Sequence, residues 1–167
     1  ELASGARLKA KLLVGADGRG SRVRSEAGIG LTKWKYNQTG IVCVVRHDYH
    51  HNNIAQERFL PSGPFAILPL IGDPPEAGNR SSLVWTEVNE LIPNIMNLSD
   101  LDFTGEISQR FGNFLGNVEL AGPRYSFPLA LQFAKKSMDR RLVLVGDAAS
   151  AMHPIAGQGF NMGLRDV

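Results

Sequence analysis

The chain has 167 residues, 43% hydrophobic and 20% charged, and 18 Lys+Arg against 16 Asp+Glu leave a formal net charge of +2. That length holds one domain or two small lobes with a real core. So small a charge, with no Lys/Arg run, excludes a nucleic-acid-binding stripe. The single cysteine excludes an internal disulfide and a multi-cysteine metal site, and it fits a reducing compartment. No apolar run approaches the roughly 20 residues of a membrane span, and no signal peptide is visible.

Residues 1–35 lack an initiating Met and read as the interior of a longer sequence. Their apolar run "AKLLVGADG" predicts a strand buried on both faces and closed by a turn. Ser21 then caps a short helix through Ala27, stopped by Gly28. Residues 36–133 change character. "TGIVCVVRH", "AQERFLP", "FAILPLI" and "SSLVWTEV" are short, β-branched and aromatic, and predict a mostly antiparallel sheet. Pro69 places its run near an edge or a bulge. Cys43, Trp34 and Trp85 read as packing residues. Phe103, Ile107, Phe111 and Phe114 recur at helical spacing, with Asp100 or Asp102 able to cap, and form a core stripe.

His47, Asp48, His50 and His51 are of metal-ligating type, but they crowd one loop with no second set at ligand spacing. They read as a solvated turn, and no metal site is expected. Lys33, Lys35, Lys135 and Lys136 read as solvated surface, with an anionic membrane face as the alternative. Residues 134–167 return to the first pattern with "RRLVLVGDAAS", a second doubly buried strand ending in Gly-Asp. Buried strands at both ends with a β-rich insert between them predict an α/β domain, parts 1–35 and 134–167, interrupted by an α+β lobe over 36–133.

The chemistry gathers at two turns. "VGADG" and "VGDAA" set Asp17 and Asp147 just past the carboxyl ends of strands, the edge where open α/β sheets bind ligands. Asp-Gly and Gly-Asp are also ordinary turn residues, so either turn alone is equally well read as structural. The loop "HPIAGQGFNMG" adds to the ligand reading. Pro154 stiffens its entry, Gly157 and Gly159 remove side chains where backbone must approach a flat or anionic group, and the amides of Gly159 to Asn161 would open a helix. A cofactor loop and a simple turn both remain open on this evidence of residues alone.

"LLVGADGRGSRVR" resembles the second nucleotide motif of the aromatic-hydroxylating flavoprotein monooxygenases, and "LVLVGDAASAMHPIAGQGFNMGLRDV" resembles their Gly-Asp motif. The second stretch is similar above all to the ubiquinone-biosynthesis branch, of the 2-octaprenyl-6-methoxyphenol hydroxylase type. "ERFLPSGPFAILPL" and "YSFPLAL" resemble that branch's central region, so the likeness covers essentially the whole chain. The resemblance implies part of an FAD-binding Rossmann-like domain interrupted by a mostly antiparallel substrate lobe. It implies FAD as cofactor, NAD(P)H as reductant, O2 as oxidant and a prenylated phenol as substrate. Asp147 would bind the ribitol or pyrophosphate region. Pro154, Gly157, Gln158 and Gly159 would line the isoalloxazine, with the loop amides through Asn161 near N1 and O2. Asp17 would sit beside the FAD and the pyridine-nucleotide path, with Arg24 supporting its turn. The strand "FAILPL" and the segment "YSFPLAL" would face the substrate ring.

Ser150 stands where many relatives have His. No side chain is identified as acid or base: there is no Ser/His/Asp set, and His153 reads as a loop residue. No G-x-G-x-x-G follows a first strand, so the motif for the FAD adenosine half is missing and a fragment of a longer flavoenzyme is expected. The alternatives are a non-catalytic truncated form, or a flavin reductase or halogenase of the same superfamily. A cytoplasmic location is expected, with peripheral association with the inner membrane or with a ubiquinone-biosynthesis complex left open.

Overall fold

The computed structural model describes residues 4–72, 77–153 and 157–167. The chain divides into two compact units, Glu1–Lys35 with Ala130–Val167, and Tyr36–Leu129. Strands β2 (Leu31–His47) and β7 (Tyr125–Ala134) are where the chain passes from one unit to the other.

The first unit begins at β1 (Leu13–Gly15), which pairs in parallel with β9 (Leu142–Leu144), Leu13 opposite Leu142 and Gly15 opposite Leu144. The short β8 (Met138–Asp139) runs antiparallel on the other side of β9. Helix α1 (Arg22–Glu26) follows the first turn as the sequence predicts: the Ser21 hydroxyl accepts the Arg24 amide, and Gly28 takes φ +67° past the end. Val23 of α1 packs with Ile29, Leu142, Leu144 and Ala149. Gly15 allows this close approach, because a Cβ there would lie 2.7 Å from Leu144 Cδ2 and 3.0 Å from Val23 Cγ1.

Burial on both faces does not hold for β1. Leu13 and Val14 are 53% and 50% exposed, since β1 edges this sheet among the described residues and its packed neighbours lie on one face. In β9, Leu142 and Leu144 are buried and Val143 only partly. The unit also holds β10 (Ser150–Ala151), antiparallel to β7 with Ala151 opposite Gln132, and α4 (Gly159–Arg165).

The second unit is an antiparallel sheet in which β3 (Gln56–Leu60), β4 (Gly63–Pro69), β5 (Arg80–Val88) and β2 are successive neighbours. The short β6 (Val118–Leu120) pairs with the end of β2, and β7 lies beside β2. The register aligns Ile41, Trp85 and Phe65 in one row and Cys43, Leu83 and Ile67 in the next. Alternation puts these residues on one face, where they meet α2 (Ile92–Met96) and α3 (Asp100–Phe111) through Ile95, Phe103, Ile107 and Phe111. Pro69 ends β4 beyond the last β3 partner, Gln56 opposite Ile67, so its missing N–H removes no bond to β3.

Three expectations for this unit are corrected. The cap of α3 is Ser99, whose hydroxyl accepts the Asp102 amide, rather than Asp100 or Asp102, because the helix already begins at Asp100 and both aspartates lie in its first turn. Phe114 lies past the helix end and is 40% exposed, so the core stripe stops at Phe111. The histidine segment is not simply solvated, for His47 and His51 are 3% and 7% exposed. His47 Nδ1 donates to the Tyr49 carbonyl at 2.8 Å and Nε2 meets the Ser81 hydroxyl at 2.9 Å. The Asn53 amide donates to His51 Nδ1, leaving Nε2 to donate to the Leu70 carbonyl.

Trp85 is fully buried with Arg110 stacked 4.3 Å above its ring, while Trp34, in the first unit, is 66% exposed and is not a packing residue. Among the described residues no cluster of His, Cys, Asp and Glu could hold a metal, and no helix is long and apolar enough to cross a membrane.

Candidate functional site

β1 and β9 are adjacent parallel strands, so the turns after them emerge side by side at the carboxyl edge of the sheet. The first turn holds Asp17. Its carboxylate accepts the Val23 amide at 3.1 Å and a hydrogen bond from the Ser21 hydroxyl. These two donors, the hydroxyl first, hold its pKa below the ordinary carboxylate value. Asp17 is therefore ionised and exposed while also fixing the start of α1.

The second turn, Gly146–Ala148, is a single 3-10 turn that Gly146 enters at φ +59°. The Asp147 side chain is 49% exposed, with Arg19 Nε 3.8 Å from its Oδ2 and itself 48% exposed. The Gly146 amide donates to Asp166 Oδ2 at 2.8 Å, and Gly163 of α4 packs so close that a Cβ would sit 3.3 Å from Gly146 Cα. α4 is thereby tied to the Gly-Asp turn.

Arg24 is 5% exposed. Its Nη1 donates to the Ala148 carbonyl at 2.8 Å and its Nη2 to the Arg19 carbonyl at 3.0 Å, which braces one turn against the other. Gln132 of β7, also 5% exposed, donates from Nε2 to the Arg19 carbonyl at 2.9 Å and the Asp147 carbonyl at 3.4 Å. The sequence reading missed Gln132, Arg19 and Asp166. A lone amide in the apolar run "LALQFA" was the visible signal for the first.

The glycine loop is placed in part. Pro154 lies outside the described residues. Gly157 takes φ +59°, the left-handed region that favours glycine, and Gln158 precedes α4, accepting from Asn161 Nδ2 at 3.2 Å. Among the described residues nothing lies within 4 Å of where a Cβ would stand on Gly18, Gly20, Gly157 or Gly159. Bare backbone beside two ionisable carboxylates and one guanidinium suits a ligand that carries hydroxyls and phosphates. The donor set fits FAD: Asp147 can accept ribitol hydroxyls, Arg19 can meet an anionic oxygen, and the open glycines leave room for a planar ring.

Comparison with known proteins defines the class. The FAD binding domain family matches residues 2–167, and the chain belongs to that family. Within it, the chain is 53% identical over 166 residues to ubiquinone hydroxylase UbiL of Rhodospirillum rubrum, spanning 99% of this chain and 37% of that protein. It is 39% identical over 169 residues to the 3-demethoxyubiquinol 3-hydroxylase of Escherichia coli, spanning all of this chain and 41% of that one. The chain thus spans about two fifths of the length of these relatives. The fold is also that of Pseudomonas aeruginosa PqsL in complex with 2-aminobenzoylacetate, with a TM-score of 0.79, 20% identity, and coverage of 97% of this chain and 44% of PqsL.

Proposed function

We propose that the chain forms part of an FAD-dependent, NAD(P)H- and O2-using monooxygenase that hydroxylates a prenylated phenol in ubiquinone biosynthesis. The observation that carries the reading is the half-exposed Asp147 beside Arg19 on bare glycine turns, in a chain 53% identical to a ubiquinone hydroxylase. FAD, when bound, would supply the redox chemistry between NAD(P)H and O2. The chain's own residues bind and orient. Asp147 accepts hydroxyls of the ribitol region, Asp17 stays ionised beside the nucleotide path, and Gly157 to Gly159 with Asn161 border the ring. The unit Tyr36–Leu129 forms the substrate lobe, with Glu1–Lys35 and Ala130–Val167 on the cofactor side. One sheet face of the lobe meets the helices, and the other carries Val42, Val44, Ala66, Leu68 and Val84 around Ser82, a largely apolar wall suited to excluding water from a phenol and its prenyl tail. Exposed Lys33, Lys35, Lys135 and Lys136 support peripheral contact with anionic membrane, where such a substrate resides.

The test uses the protein expressed from its complete gene. It should bind FAD stoichiometrically, NAD(P)H should bleach the flavin absorbance, and a prenylated phenol should couple that oxidation to O2 uptake and a hydroxylated product. Asp147→Asn should weaken FAD binding by roughly tenfold or more, the loss of one charge-assisted hydrogen bond. A protein that binds no flavin, or oxidises NAD(P)H without hydroxylating, would overturn the reading.

A further inference from the structure

Two turns that must hold one cofactor have to keep a fixed spacing, and the bonds that fix it can be traced. The Arg19 carbonyl receives two buried donors, Arg24 Nη2 at 3.0 Å and Gln132 Nε2 at 2.9 Å. The same Gln132 amide reaches the Asp147 carbonyl at 3.4 Å, and Arg24 Nη1 the neighbouring Ala148 carbonyl at 2.8 Å. One amide nitrogen therefore touches the backbone of both residues whose side chains form the exposed Arg19–Asp147 pair. Gln132 itself sits in β7 opposite Ala151 of β10, the strand just past the Gly-Asp turn, so its backbone is anchored independently of the bonds its side chain makes. It is 5% exposed, and a leucine would satisfy the burial equally well. Only a donor can serve two carbonyls.

We infer that Gln132 is a positioning residue of the cofactor site: its buried amide sets the register between the Asp17–Gly20 turn and the Gly146–Ala149 turn, and so the placement of the Arg19–Asp147 pair against the ligand. Arg24 supplies the second arm of the clamp. The identity of the ligand rests on the flavin reading, and the clamp on the hydrogen bonds alone.

Three variants separate donation from packing. Gln132→Leu removes the donor and keeps an apolar side chain of similar size. Gln132→Glu keeps the shape but turns a carboxylate toward two carbonyls, and it regains a donor when protonated. Gln132→Asn keeps the amide on a shorter stem. The experiment has two readouts on the protein expressed from its complete gene. In the cofactor-free protein, hydrogen exchange should quicken at the Ala149 amide, bonded to the Gly146 carbonyl, and at the Ser21 amide, bonded to the Gly18 carbonyl, in Gln132→Leu. With FAD added, Gln132→Leu should bind roughly tenfold more weakly, the scale of one buried hydrogen bond. Gln132→Glu should bind more weakly still at neutral pH and recover as the pH falls and the carboxyl protonates. A pure packing role would not produce that pH profile.

Wild-type exchange rates in all three variants would overturn the clamp. So would unchanged FAD affinity in Gln132→Leu and Gln132→Glu when the wild type binds FAD. A wild type that binds no FAD, with faster exchange in Gln132→Leu, would overturn the flavin reading and support the clamp.

Discussion

Arg24→Met probes the other arm of the clamp, and its size can be worked from the structure. Methionine keeps most of the unbranched stem and its packing, so the change isolates the guanidinium. Arg24 Nη1 bonds the carbonyl of Ala148, a residue with no exposed surface, so water cannot replace the lost donor. An unsatisfied buried acceptor costs about 1–3 kcal/mol. The Arg19 carbonyl keeps Gln132 and loses only one of two donors, a smaller penalty. Removing a buried cation returns part of this, because its own desolvation disappears. The net is about 1–3 kcal/mol, felt at both turns. Native-state hydrogen exchange should show it as a roughly 5- to 150-fold acceleration, at Ala27 and Gly28 beyond α1 and at Val145 and Ala149 around the Gly-Asp turn. Arg22→Met is the matched control. Arg22 is 88% exposed and, among the described residues, its side chain pairs only with Glu26 one turn on, a contact worth under about 0.5 kcal/mol. Equal effects from the two variants, or acceleration at α1 alone, would refute the idea that Arg24 joins the turns.

The remaining predictions follow from packing and titration. Gly15→Ala should destabilise by about 1–3 kcal/mol in urea unfolding, since its Cβ would press Leu144 and Val23. Cys43 is 2% exposed and burial pushes its thiol up to about 12, so iodoacetamide at mildly alkaline pH should leave the native protein unlabelled and label it after unfolding. Burial, with His51 and His50 nearby, holds the His47 pKa below its ordinary value, against smaller raising effects from the Tyr49 carbonyl and Asp48. Its folded pKa is thus below its unfolded one, so the neutral ring stabilises the fold above about pH 6.5 and that stability is lost as pH falls through the folded value. For one proton the slope cannot exceed about 1.4 kcal/mol per pH unit. His47→Gln should flatten the corresponding part of the urea midpoint against pH, and an unchanged slope would count against this origin.

What could be read from the sequence was local. Ser21, Gly28 and the apolar residues of α3 act on neighbours a few positions away, so the spacing carries the information. Residue type and, for Cys43, its apolar run likewise placed Cys43 and Trp85 inside. Burial on both faces of β1 could not be read, because it depends on which elements cover a strand and not on the strand's own residues. Trp34 and Trp85 are the same residue type and both lie in strands, yet only Trp85 falls in the row that meets Phe103 and the other helix residues. His51 was misread for a related reason: its partners are the Leu70 carbonyl and the Asn53 amide, backbone groups every residue has.

The same blindness explains the cofactor edge. A carboxylate that must accept a ligand's hydroxyls cannot have its lone pairs taken up by its own side-chain partners. Asp147 meets that condition, with one guanidinium 3.8 Å away and half its surface open. Rigidity must then come through the backbone, and the carbonyls of Arg19, Asp147 and Ala148 are where Gln132 and Arg24 supply it. Because the acceptors are main-chain oxygens, the motif letters at 146–149 name the residue proposed to face the ligand and nothing that holds it. The turn should therefore keep its exchange protection in Asp147→Asn while losing FAD affinity, and lose both in Arg24→Met. If Asp147→Asn instead loosened the Gly146–Ala149 turn in the cofactor-free protein, the carboxylate would be structural and the division of labour argued here would be wrong.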